Sequence, residues 1–201
     1  AVAGYSDMNV FIQETGETRV ATVRNSGRLI RTGSVFEALM TDLAIGAVTV
    51  MCRARLAKDA IEEIRLADHP EWKTPDVPLW LALSLKGDFL YIDEPLATYR
   101  NRGESVSVSS DKAKRAAFKY GTWKIREYFL SKAEVAPAVR KKVLEIGGDR
   151  TVLHFFYSRD FDALRGFLND KGDLKIRGRR VKMIVACAFS DRLLRLLTKF
   201  M

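Results

Sequence analysis

The sequence predicts a mixed α/β fold over residues 1 to 110, a small sheet with flanking helices, followed by an all-helical region over residues 111 to 201. Three observations predict it. Short runs rich in β-formers alternate with helix-like runs as far as Ser110, and beyond that residue only helical spacing remains. The charge balance changes as well: residues 1 to 100 carry 11 Lys and Arg against 14 Asp and Glu, whereas residues 101 to 201 carry 23 against 11. A length of 201 residues suits one compact body with an appended element.

Residues 1 to 12 and 18 to 24 (TRVATVR) read as a strand pair joined by the turn-like Glu14, Thr15, Gly16 and Glu17. Gly27 and Gly33 bracket a loop. Ser34 with Glu37 three places on, ahead of Leu39 and Met40 at helical spacing with Val35, predicts a capping-box helix start that Gly46 closes. AVTVMCRARL is a continuous apolar strand candidate, and KDAIEEIR a short amphipathic helix ending before His69 and Pro70. A proline-crowded loop then leads into a buried helix over about residues 78 to 86, since proline suits a first helical turn, and Gly87 ends it. FLYIDEPLATYR is a strand broken at Pro95, which belongs at an edge or bulge. Helices follow over about 111–132, 137–158 with an interruption at Gly147 and Gly148, 160–169, and one from about Arg177 to the end.

Composition narrows the function classes. A hydrophobic fraction of 47% and a charged fraction of 29% are those of a soluble globular protein, and no run reaches the roughly 20 uncharged apolar residues of a membrane span. Cys52 and Cys187 lie in apolar surroundings without CxxC spacing, and His69 and His154 stand far apart, so buried thiols in a reducing compartment are expected and a zinc site is not. AVAGYSDMNVFI has no basic start, so no signal peptide is expected. Opening directly in strand-like residues, it reads as the interior of a longer chain.

The segment TPDVPLWLALSLKGDFLYIDEPLATYRNRGESVSVS resembles the closing part of the catalytic domain of family 2 glycosyltransferases, which have the GT-A fold. The residues that carry the resemblance are Asp76 opening a helix through Leu79 and Trp80, then Pro95, Leu96, Tyr99 and Arg100, then Ser105 and Ser107. YSDMNVF resembles the strand shortly after the family's metal-binding Asp-x-Asp motif, and FEALMTDLAIGAVTVMCRARL the helix and strand before its catalytic loop, so the match covers about residues 1 to 110. The resemblance implies an incomplete GT-A-type sheet, the acceptor-side half of the domain. It also implies inverting transfer of a sugar from a nucleotide-sugar donor to a glycan or lipid-linked acceptor, in bacterial surface glycan synthesis. By position Asp76 is the base that takes the acceptor proton; read from the residues alone, it is a helix-start carboxylate.

The sequence departs from the family in two places. Pro75 stands where the family commonly has a glutamate before the base, and Arg102 where many members have a histidine that reaches the metal or diphosphate. Arg100 and Arg102, beside Tyr99, are the candidates for pairing with diphosphate oxygens, or else form a charged surface turn. Trp72 and Trp80 are candidate sugar-stacking faces, with core packing the alternative for both. A divalent metal, magnesium or manganese, is expected for the full-length enzyme with its ligands mostly before residue 1; no metal ligand is assigned in this chain, and Asp7 has no partner at the Asp-x-Asp spacing. The chain by itself is therefore expected to be inactive.

Residues 176 to 201 combine Arg177, Arg179, Arg180 and Lys182 with an apolar helix carrying Arg192, Arg195 and Lys199. This pattern suits either the headgroup layer of an anionic membrane or a terminal helix packed on its neighbours. The expected location is cytoplasmic, with peripheral attachment to the inner membrane face open. Competing readings are a basic helical binding module for a membrane surface or nucleic acid, and a degenerate transferase kept as a scaffold. Nucleic acid is disfavoured, because aromatic residues interleave with basic ones only weakly, at WKIREYF.

Overall fold

The computed structural model describes residues 1–27, 29–103, 109–170 and 177–200. The described residues form a mixed α+β fold built on one four-stranded sheet. Strand β1 (Ala3–Ile12) runs through the middle; β2 (Thr18–Arg19) and β3 (Val50–Cys52) pair antiparallel with its two ends along one edge, and β4 (Phe89–Asn101) runs parallel along the other. The β1–β4 register opens at Ala3–Phe89 and closes at Ile12–Asn101, slipping on both sides of Asp7, where Ile92, Pro95 and Ala97 are successive partners. Proline has no N–H to give the ladder, so an edge strand with a bulge absorbs Pro95 as its residue type predicts.

The expected second strand stops at Arg19. Ala21 takes a left-handed conformation, and a short helix, α1 (Thr22–Asn25), replaces the rest. The cause is local competition from side chains: the Asn9 amide oxygen accepts the Ala21 N–H at 3.1 Å, and the Asp7 carboxylate accepts those of Val23 and Arg24.

Helix α2 (Phe36–Thr41) forms where predicted, but without a capping box. Val35 holds the cap position with no side-chain bond, and Glu37 instead accepts the Ala136 N–H at 2.6 Å. The apolar run that follows divides into a 3-10 turn at residues 47–49, β3, and helix α3 (Ala54–Ile64), which starts earlier than its charged half suggests. Helix α4 (Asp76–Ser84) starts two residues before the expected Pro78.

Helices α5 (Lys112–Phe129), α6 (Pro137–Ser158) and α7 (Phe161–Asp170) follow the predicted spans closely. Asp111 caps α5 by accepting the N–H groups of Ala113 and Lys114. Gly147 and Gly148 do not interrupt α6, and the Glu127 carboxylate lies over Gly147. The expected single terminal helix is two, α8 (Arg179–Ala186) and α9 (Asp191–Phe200). Arg165 fastens the break, donating to the Ala188 carbonyl at 3.0 Å and pairing with Asp162 and Asp191.

The buried apolar residues form two clusters. The first joins β1, α2, α3 and α4 to Ile125, Phe129 and Leu130 at the end of α5 and Val143 in α6. The second joins Val152 and Phe156 of α6 to α7, α8 and α9. The two cores thus meet along α6, whereas the charge shift falls near residue 100. Val181, Ile184 and Leu194 are buried in the second cluster, so the tail helices pack on their neighbours. Both cysteines are free and half-buried rather than fully enclosed. Among the described residues no helix is long and apolar enough to cross a membrane.

Candidate functional site

Helix α4 is apolar on all sides, with Pro78, Trp80, Leu81, Ala82, Leu83 and Ser84 buried, so its position is held by the core. Its first residue is Asp76, half-buried at the end of the proline loop. One carboxylate oxygen, Oδ1, accepts the Val77 N–H at 2.9 Å and the hydroxyl of the buried Thr74. Oδ2 makes no hydrogen bond among the described residues, so the group is oriented through one oxygen while the other is available to accept a proton.

The loop before Asp76 is held by packing. The Trp72 and His69 rings stack with centroids 3.8 Å apart, and Tyr128 meets both edge-on. Gly121 of α5 lies against this loop, where a Cβ would collide with the Glu71 carbonyl oxygen. These contacts correct the reading of the tryptophans as sugar platforms. Trp72 is 9% exposed and Trp80 6%, both in the first core cluster, because burying their large ring area outweighs leaving each indole N–H without a partner.

Tyr99, Arg100 and Arg102 lie at the far end of β4. Tyr99 pairs with Val10 and Arg100 with Phe11, and strand pleating sends their side chains to opposite faces. All three are exposed, and neither arginine forms an ion pair among the described residues. Arg100 is eight residues of β1, about 26 Å, beyond the point where Phe89 enters the sheet, whereas α4 is only about 13 Å long. No hydrogen bond or ion pair joins Asp76 to Tyr99, Arg100 or Arg102. Ser105 and Ser107 lie outside the described residues.

The residue that composition and spacing undervalued is Asp7. It is fully buried in β1, and its carboxylate accepts the N–H groups of Met8 at 2.6 Å, Val23 at 2.9 Å and Arg24 at 3.1 Å. Burial by itself would raise its pKa; those three donors and the Arg24 guanidinium outweigh it and hold the carboxyl below its ordinary value. Across the bulge, the Tyr91 phenol is pushed up to about 12, first by burial and then by the charges of Asp7 and Asp93, to the second of which it donates at 3.4 Å. Arg24 closes the group by pairing with Asp93 at 3.1 Å. The sequence signal for this cluster was an aspartate amid strand-forming residues, where an isolated charge requires donors.

Among the described residues no three of His, Cys, Asp and Glu converge on a point that suits a metal ion. Asp7, the acid nearest the expected motif, has both oxygens engaged by backbone donors. The described residues therefore offer no ligand set for a divalent metal. No protein-family model, curated protein or solved structure matches the chain.

Proposed function

We propose that residues 1 to 110 are the acceptor-side half of a family 2 glycosyltransferase with a GT-A-type sheet, and that residues 111 to 201 are a basic helical extension of it. The observation that carries this reading is the setting of Asp76. It opens a core-held helix, keeps one oxygen unbonded, and is followed by a strand ending in Pro-Leu-x-x-Tyr-Arg. In this reading Asp76 removes the proton from an acceptor hydroxyl as its oxygen attacks the anomeric carbon of the nucleotide sugar, displacing the nucleoside diphosphate with inversion. Thr74 and the Val77 N–H orient the carboxylate. Arg100 and Arg102, exposed at the far end of β4 and not joined to Asp76, are given no part in this step.

The test is sugar transfer from a panel of nucleotide sugars by the natural-length polypeptide and its Asp76→Asn variant. Loss of the base is expected to lower kcat by about 10²- to 10⁴-fold while the fold is retained. Unchanged kcat in the variant overturns the assignment of Asp76. Absence of transfer with every donor overturns the transferase reading.

A further inference from the structure

A cavity of about 760 Å³ opens between α5, α6 and the start of α8. Arg115 and Lys119 line it from α5, Arg150 from α6, and Arg179 and Arg180 from α8; none of the five is in an ion pair among the described residues. Asp149, the carboxylate in the wall, is turned to the backbone, accepting the N–H groups of Arg177 at 3.2 Å and Gly178 at 3.1 Å. Asp149 acts on Arg150 but is outnumbered by the lining cations, and neighbouring like charges in a concave site repel one another, an arrangement that a bound anion relieves.

Two further observations point to a ligand. Lys119 is held below the ordinary lysine pKa, first by lost hydration and then by Arg150 and Arg115. Helix α8 begins at the cavity, and the first turn of a helix carries N–H groups with no intrahelical acceptor. Leu153 and Tyr157 of α6 and Val181 of α8 add apolar surface to the lining.

We propose that this cavity is a binding site for a phosphate ester or diphosphate, its oxygens held by Arg150, Arg179 and Arg180 and its organic part against Leu153 and Tyr157. Guanidinium groups give forked hydrogen bonds to phosphate oxygens, which suits them to a multiply charged oxyanion better than to a single carboxylate. The site is independent of the transferase reading, because none of these residues belongs to the segment that carries it. Its ligand is either a free phosphate compound or a lipid headgroup.

Two probes distinguish those sources: inorganic pyrophosphate in a calorimetric titration, and vesicles of phosphatidylcholine and phosphatidylglycerol in equal parts in a sedimentation assay. Each is applied to the full chain, to Arg179→Gln/Arg180→Gln, to Arg150→Gln, and to Arg192→Gln/Arg195→Gln, which removes the same charge from α9 away from the cavity. Pyrophosphate binding weakened about tenfold or more by the first two variants and within about twofold of the parent in the third supports a free phosphate compound. Vesicle binding lost in the first two variants and kept in the third, with no pyrophosphate binding, supports a headgroup. The exposed Arg179 and Arg180 keep the test valid where Arg150→Gln disturbs folding. Binding of neither probe, or equal weakening by the cavity and α9 variants, overturns the proposal.

Discussion

The Asp7 carboxylate in the middle of the sheet accepts the Val23 N–H at 2.9 Å, tying the first turn of α1 to the central strand. It also holds the place where β1 and β4 slip register, since Ser6, Asp7 and Met8 face Ile92, Pro95 and Ala97. A single buried charge therefore supports a bulge and a helix start together. Removing it leaves three backbone donors in want of an acceptor.

Asp7→Ala is accordingly expected to destabilise the protein by about 2–3 kcal/mol, measured as the shift of the urea midpoint at neutral pH. The pH dependence follows from the direction of the pKa. Because folding lowers it, the contribution of Asp7 is complete above the unfolded value of about 3.9 and is lost as the pH falls through the folded value. The stability gap between parent and Asp7→Ala narrows on acidification below about pH 4. A gap that stays constant down to pH 2 contradicts the role assigned to this carboxylate.

Tyr91 offers a spectroscopic check on the same cluster. Its phenol is pushed up to about 12, first by burial, then by the charge of Asp7 and then by that of Asp93. In Asp93→Asn that charge is gone, so the Tyr91 resonance, followed by carbon NMR of labelled tyrosine, titrates at lower pH than in the parent. An unchanged midpoint removes Asp93 from the account.

Two glycines inside helices are expected to respond oppositely to alanine. Helix propensity favours alanine by up to about 1 kcal/mol. At Gly166 in α7 a Cβ meets nothing, so Gly166→Ala raises the melting temperature. At Gly121 the Cβ meets the Glu71 carbonyl, and Gly121→Ala forces α5 away from the Trp72 loop, costing about 1–3 kcal/mol. The loop leads to Asp76, so this variant is also expected to weaken any activity that depends on that carboxylate.

Glu37 and Ser34 separate a sequence motif from a tertiary contact. Ser34 is exposed and does not cap α2, so Ser34→Ala changes stability by no more than about 0.5 kcal/mol. Glu37→Ala removes the acceptor for the Ala136 N–H before α6 and costs about 1 kcal/mol in chemical denaturation. The reverse ranking restores the capping box.

The sequence by itself determined the elements whose cause is local. Residue spacing and flanking residues place α5, α6 and α7 nearly residue for residue, because a helix closes its hydrogen bonds within four residues and its apolar face repeats along the chain. Pro95 announced its bulge because a missing N–H is a property of the residue itself. Only the tertiary structure decided how distant groups use the same side chains. It turned 22–24 from strand to helix through Asp7 and Asn9, turned Glu37 from a cap of its own helix to a contact 99 residues away, and put Trp72 in an aromatic stack instead of a cleft. Asp76 was legible as the start of a helix, since charge and proline near a first turn are local signals; the proximity of Arg115, Lys119, Arg150 and Arg179 around one cavity was not, because no spacing rule relates residues on three different helices. Charge along a chain reports its sum, and packing decides where that charge converges.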